Sequence, residues 1–359
     1  MRLLLAILLG VMCPLLAGAG LVADAFGETL GETVGEPVLT PAEHRRTPDQ
    51  TYLTFPEWYL VHSPAEYASF LARSEHPSAF PLFSHIGQFW QSYASVTREI
   101  DKYPFNGSYH LMVMVIGSST TVEYTIKGLY EHTVGRMAEA TKSTRQVPEE
   151  RFAARYAQNY VDFIRIEPWY RYDFWAQLTA LWDGDLPLAG PDLIRRWERR
   201  FLLSTELLIK EGYARLIKLG TQTVYDPAKP TTGVVLSKAP TAGVAEHANF
   251  HVLESTRVDG PLVAVIPRYE AFTSYAGWLA GQGVDFLEIA GNRGEVLVTV
   301  LVPTGWRPEQ GRVLFEQPIL TQPGRARVAY AVPVDSLGDQ LRRAHSSLVQ
   351  VTVEHIYDF

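Results

Sequence analysis

Cysteine is nearly absent. The only one, Cys13, sits in an apolar N-terminal run, so the rest of the chain offers neither a disulfide nor a thiol nucleophile or thiolate metal ligand. Its stability must come from a packed core. Positive charge is also in short supply, with 32 Lys and Arg against 39 Asp and Glu. The net charge of -7 is spread along the chain and excludes the basic footprint of a nucleic-acid binder. Long apolar stretches are missing apart from Leu3 to Val22, which excludes a multi-span membrane bundle. There is no G-x-x-x-x-G-K-[ST] phosphate loop, no G-x-S-x-G elbow and no H-E-x-x-H helix, so no cofactor is expected.

What is present is an ordinary globular composition, 47% apolar and 20% charged over 359 residues. The run from Leu3 to Val22 follows Met1 and Arg2 and precedes Asp24, Glu28, Glu32 and Glu36. That asymmetry places its start in the cytoplasm and the following chain outside. Twenty apolar residues can span a bilayer, while Ala17-Gly18-Ala19 and Ala23-Asp24-Ala25 offer small-residue cleavage sites. Residues 1–23 are therefore a retained anchor or a signal peptide. The body is expected at the inner membrane facing the periplasm, or free in the periplasm after cleavage.

Residues 24–50, with their Gly-Glu repeats, read as an acidic flexible tether. A mainly helical, aromatic-rich domain is expected over 51–224, a linker over 225–243, and a sheet domain over 244–359. The fold class is thus α+β, the second domain resembling a ferredoxin-like α/β sandwich with an extra strand or loop between Thr304 and Pro323. Ser63-Pro64-Ala65-Glu66 reads as a capped helix start, as does Thr120 with Glu123, and Tyr109 to Ile116 as a strand between helices. Pro148 opens a helix, and Asp192 caps another with Ile194, Trp197, Phe201, Leu208 and Leu216 on one side and charges on the other. Strands are expected at Leu262–Ile266, Val284–Ala290, Glu295–Val302, Arg327–Val332 and Leu348–Ile356, with helices at Glu270–Ala280 and Asp335–Ala344.

Chemistry-bearing residues are scattered. Glu246, His247 and His251 form the only local metal pattern, because histidines four apart share a side of a helix or strand. Two histidines with no third ligand in view are read as a partly exposed pair, and no metal is assigned. Glu57, His62, His85 and His132 lie in the aromatic segment, where folding can bring a His and a Glu together for general acid and base work. Trp169 and Tyr170, in a cluster of four aromatic rings, suit a membrane interface or a binding groove. Arg195, Arg196, Arg199 and Arg200 form a basic helix face for lipid phosphates or an acidic partner, or simply a solvated face.

Thr54-Phe55-Pro56-Glu57-Trp58-Tyr59 followed by Ser63-Pro64, together with Arg195-Arg196-Trp197-Glu198-Arg199-Arg200-Phe201, resembles uncharacterised bacterial membrane-anchored proteins. The resemblance implies an inner-membrane anchor with a periplasmic body and supplies no catalytic residues. The function expected is a binding or scaffolding protein of the cell envelope. Its partners are the membrane, through the N-terminal segment, and an envelope protein or an apolar ligand. The alternative is a periplasmic hydrolase-like or lipid-modifying enzyme with a dispersed His/Glu site.

Overall fold

In the computed structural model the described residues are 39–183, 189–224, 230–244, 247–255, 260–346 and 350–358. Among the described residues six helices of ten or more residues come first: α1 (Gln50–Ala72), α2 (Leu82–Ile100), α3 (Gly107–Tyr130), α4 (Pro148–Ile164), α5 (Phe174–Asp183) and α6 (Leu193–Val224). The sheet part follows as β1 (Thr231–Leu236), β2 (His251–Ser255), β3 (Leu262–Pro267), α7 (Glu270–Gly281), β4 (Phe286–Ile289), β5 (Glu295–Pro303), β6 (Arg312–Pro318), β7 (Arg325–Pro333), α8 (Leu337–Ser346) and β8 (Thr352–Tyr357). The chain is α+β, and β6 is the extra strand foreseen between Thr304 and Pro323. Among the described residues no helix is long and apolar enough to cross a membrane. The run Leu3 to Val22 lies outside them.

In place of the expected single ferredoxin-like sandwich, the strands form two four-stranded antiparallel sheets, β2-β3-β1-β4 and β6-β7-β5-β8. These are one pattern used twice. Each half runs strand-strand-strand-helix-strand, and each pairs its first strand with its third and fourth. The registers agree: Val234 faces Ala264 and Ile289 in one half, Val298 faces Tyr330 and Ile356 in the other. The inner faces of both sheets share one core with α7 and α8, built on Val234, Ile266, Phe272, Phe286, Val298 and Leu337.

The outer face of the second sheet carries the helical part. Leu297, Ala329, Ala331 and Tyr357 pack under Tyr52, Phe55, Trp58 and Tyr59 of α1. Burial on both faces explains why β5 reads as a near-continuous apolar run rather than an alternating one. The outer face of the first sheet is covered by residues 39–46, which composition had placed in the tether. Glu288 accepts from the backbone N–H and the hydroxyl of Thr40, and Arg46 N–H donates to the Ala290 carbonyl. A side chain at Gly233 would strike His44. Likewise β1 occupies part of the expected linker, so the sheet part begins at Thr231.

Three helical expectations change. Tyr109 to Ile116 is helix, not strand: Asn106 accepts from Tyr109 N–H as an N-cap, and α3 runs unbroken past Thr120. Ser63-Pro64 is not a helix start but lies inside α1, which keeps two internal prolines at a cost of about 3 kcal/mol each because it is wedged between α4 and the sheet. The third change is an inversion. The arginines of α6 are buried and its apolar side faces outward.

The buried arginines meet buried glutamates from elsewhere in the chain. Arg195 reaches Glu150 at 2.8 Å, Arg196 and Arg200 share Glu149 at 3.1 and 2.9 Å, and Arg199 forks onto Glu131 at 2.8 and 3.0 Å. A wide π-turn at Glu131–Gly135, after α3, aims Glu131 inward and offers the Gly135 carbonyl to Arg195. The four guanidiniums therefore belong to an internal ion-pair lattice and are not a lipid-facing patch.

Candidate functional site

Helix α1 separates two polar regions. Positions 59, 62, 63 and 66 recur at helical spacing on the side toward α2 and the second sheet, whereas 57, 60, 61, 64 and 67 face α3 and α4. The first set forms a closed seam. The second lines a cavity.

In the seam, Arg327 of β7 forks onto Glu354 of β8, with Nε to Oε2 at 2.5 Å and Nη2 to Oε1 at 2.7 Å, and lies 3.5 Å from Glu66 Oε1. His62 bridges Glu354, at 3.5 Å from Nδ1, and the Tyr357 hydroxyl, at 3.2 Å from Nε2. Ser63 Oγ sits 3.0 Å from His85 Nδ1 and 2.8 Å from the Tyr124 hydroxyl. His85 Nε2 points at Glu66 Oε2 across 3.6 Å. Trp58 lies on His355 with ring centroids 3.6 Å apart.

Burial dominates the protonation of these groups. It lowers His62 to about 3, against the pull of Glu354, and lowers His85 to about 3 with help from Arg327. It raises Glu66 to about 7, although Arg327 opposes the shift. Burial also works against the Glu354 carboxylate, but Arg327 and His62 hold it down at about 2. At neutral pH the seam is a fixed Arg327–Glu354 pair flanked by neutral imidazoles.

The Ser63, His85 and Glu66 sequence of contacts has the polarity order of a hydrolytic triad. Access is what it lacks. Ser63 is 1% exposed and its oxygen is occupied by His85 and Tyr124. In this closed state a substrate carbonyl cannot approach.

The cavity on the opposite side of α1 holds about 1550 Å³ and is walled by α1, α3, α4 and α6. Leu60, Val61, Met112, Ile116 and Ala157 give apolar surface, and Tyr67, Tyr124, Tyr156, Tyr160 and Tyr213 give amphipathic rings. Two lysines and two glutamates meet in its wall. Glu206 accepts from Lys127 at 3.2 Å and from Lys210 at 3.0 Å, and Lys210 also reaches Glu123 at 3.1 Å. The ammonium of Lys127 lies 4.4 Å from the Tyr67 ring centre and that of Lys210 lies 5.1 Å from Tyr160. Burial disfavours the Glu206 carboxylate, yet the two lysines hold it well below the usual carboxylate range. The Tyr156 hydroxyl beside them has no hydrogen-bond partner among the described residues.

At the far end stand Glu57, Tyr109, Arg46, Arg268 and Tyr269. Burial raises Glu57 above the usual carboxylate range, offset in part by the Tyr109 hydroxyl and Arg268. Asp358, buried against Arg268 and Arg46, is raised to about 6 by the same effect.

The structure therefore distributes the sequence candidates. His62 and His85 share the seam, and Glu57 faces the cavity. His132 stands apart on the surface, 2.8 Å from the Gly128 carbonyl. Trp169 and Tyr170 are half-buried in the cavity wall, where Trp169 stacks on Tyr213 with centroids 5.2 Å apart. His247 stacks on Trp278 at 4.0 Å and bonds the Gly243 carbonyl, while His251 is exposed on β2. Glu246 lies outside the described residues. No group of three or more potential metal ligands occurs among the described residues.

Sequence reading missed Arg327, Glu354, Ser63 and the Lys127–Glu206–Lys210 cluster. Two signals were available: an arginine inside the apolar strand Arg325–Pro333, and the i,i+4 pairs Glu123–Lys127 and Glu206–Lys210. Neither the sequence nor the fold matches a known protein family, a curated protein or a solved structure.

Proposed function

We propose that the chain is a cell-envelope binding protein, tied to the membrane by its N-terminal apolar run, that holds an elongated amphipathic molecule between α1, α3, α4 and α6. One observation carries this reading: a cavity of about 1550 Å³, larger than the roughly 300–1,000 Å³ of ordinary small-molecule sites. Aliphatic walls suit a hydrocarbon chain. The tyrosines, the unpartnered Tyr156 hydroxyl and the paired lysines suit a polar head, because each can hydrogen-bond without leaving an isolated charge. The rival reading, a hydrolase built from dispersed His and Glu, draws support from the Ser63–His85 contact, but Ser63 is buried behind His85 and Tyr124.

The test uses dibromostearic acid, whose bromines quench nearby tryptophan, with Trp58 in the cavity wall as reporter. Saturable quenching of the purified chain, abolished by Ala157→Phe, is the expected result. Linear quenching without saturation, or saturable quenching that Ala157→Phe leaves intact, would remove the cavity as the binding site.

A further inference from the structure

Helix α6 presents an exposed apolar line to the outside. Ile194, Trp197, Phe201, Leu208, Leu216 and Leu219 are all exposed, Phe201 at 62%, while Arg199 on the opposite side is 3% exposed. With Thr205 and Gly212 these positions follow spacings of 3, 4, 4, 3, 4, 4 and 3, and no charged residue falls on the line. It runs about 37 Å along the helix. Beside it, α5 turns outward Trp175 and Trp182, the latter edge-on to Trp197 with centroids 6.0 Å apart.

We propose that this face lies flat in the interfacial layer of a lipid bilayer, a contact separate from the N-terminal run and independent of cavity occupancy. Three observations favour lipid over a second copy of the chain. The mean spacing of about 3.6 residues keeps the line straight on a straight helix, which fits a plane, whereas a coiled-coil seam needs 3.5. Three tryptophans sit on or beside the line, and indole is at home where apolar and wet layers meet. Finally, the chain before Leu39 contains the run Leu3 to Val22 and about 16 further residues, a reach of at most ~55 Å. Lipid holding that run is therefore close to the body, whose Leu39 and Thr40 are pinned to Glu288. A large apolar face combined with helices too polar to span is the pattern of an element that rests on a membrane.

The experiment labels the full chain with the environment-sensitive dye NBD at Phe201→Cys, after Cys13→Ser removes the native thiol. A control label is placed at exposed Glu309→Cys. Both proteins are reconstituted into vesicles of phosphatidylcholine and phosphatidylglycerol, with and without doxyl-phosphatidylcholine. Expected are a blue shift and doxyl quenching at 201 and neither at 309, with loss of quenching at 201 when Leu208→Glu and Leu216→Glu are added. These leucines are exposed, and an unchanged near-ultraviolet circular dichroism spectrum verifies the fold. Water-like emission at 201, a blue shift without doxyl quenching (the signature of a second copy), or quenching unaffected by the two glutamates in a folded protein would each overturn the proposal.

Discussion

Glu66 Oε2 stands 3.6 Å from His85 Nε2, and neither atom has a hydrogen-bond partner among the described residues. Burial, with help from the Glu354 carboxylate on β8, outweighs the opposing pull of Arg327 from β7 and raises Glu66 from 4.5 to about 7. The folded chain thus holds this proton more tightly than the unfolded one. The resulting stability is present below about pH 4.5 and is lost as the pH rises through 7. His62 and His85, lowered to about 3, work oppositely: their stability is present above about pH 6.5 and is lost as the pH falls toward 3. Glu66→Gln should therefore gain on the wild type by on the order of 3 kcal/mol between about pH 5 and about pH 8 in urea unfolding. A gain independent of pH would show that Glu66 titrates normally.

Glu149 is fully buried and accepts from both Arg196 and Arg200. Its removal leaves two guanidiniums without their shared carboxylate. Glu149→Ala should cost about 3–5 kcal/mol, whereas Arg171→Ala, at an exposed i,i+4 pair with Glu167, should cost under about 1 kcal/mol. Equal urea midpoints for the two variants would contradict the buried lattice.

Gly117 lets α3 approach α2 closely. A Cβ there would run into the Phe89 ring and come within 2.9 Å of Trp90. Gly117→Ala should lower stability by about 1–3 kcal/mol, despite alanine's better helix propensity. A rise in melting temperature would mean that the two helices stand farther apart.

His247 is committed to Trp278 and Gly243, and His251 points from an exposed strand, so the pair should bind no stoichiometric metal. Elemental analysis of the purified chain is the measurement. A bound ion that disappears in His251→Ala would reinstate the site.

Much of the sheet part was legible because its signals are local. Short β-branched apolar runs bounded by turns marked β3, β5 and β7, and Gly281 closed α7 where expected. The helical part was harder, since its signals there are overridden by packing. Val113 and Ile116 have strand propensity, but Asn106 starts a helix and contacts with α2 sustain it. Ser63 and Pro64 carry the local chemistry of a helix start while the hydroxyl is used across space by His85 and Tyr124. On α6 the periodicity was correct and its orientation was not. A charged face reads as solvated until Glu131, Glu149 and Glu150, each distant in sequence, are seen to meet it.

The repeated strand-strand-strand-helix-strand unit gives this chain the internal geometry of a symmetric pair. What each half wears on its outer face breaks that symmetry: α1, α2 and α3 pack on one sheet, and a short strap from residue 39 to 46 lies against β1 and β4 of the other. The two halves thus differ in what they hold: one is the seat of α1, α2 and α3, and its twin fastens the segment from residue 39 to 46, so that a fold repeated in its strands is made unlike in its outer faces.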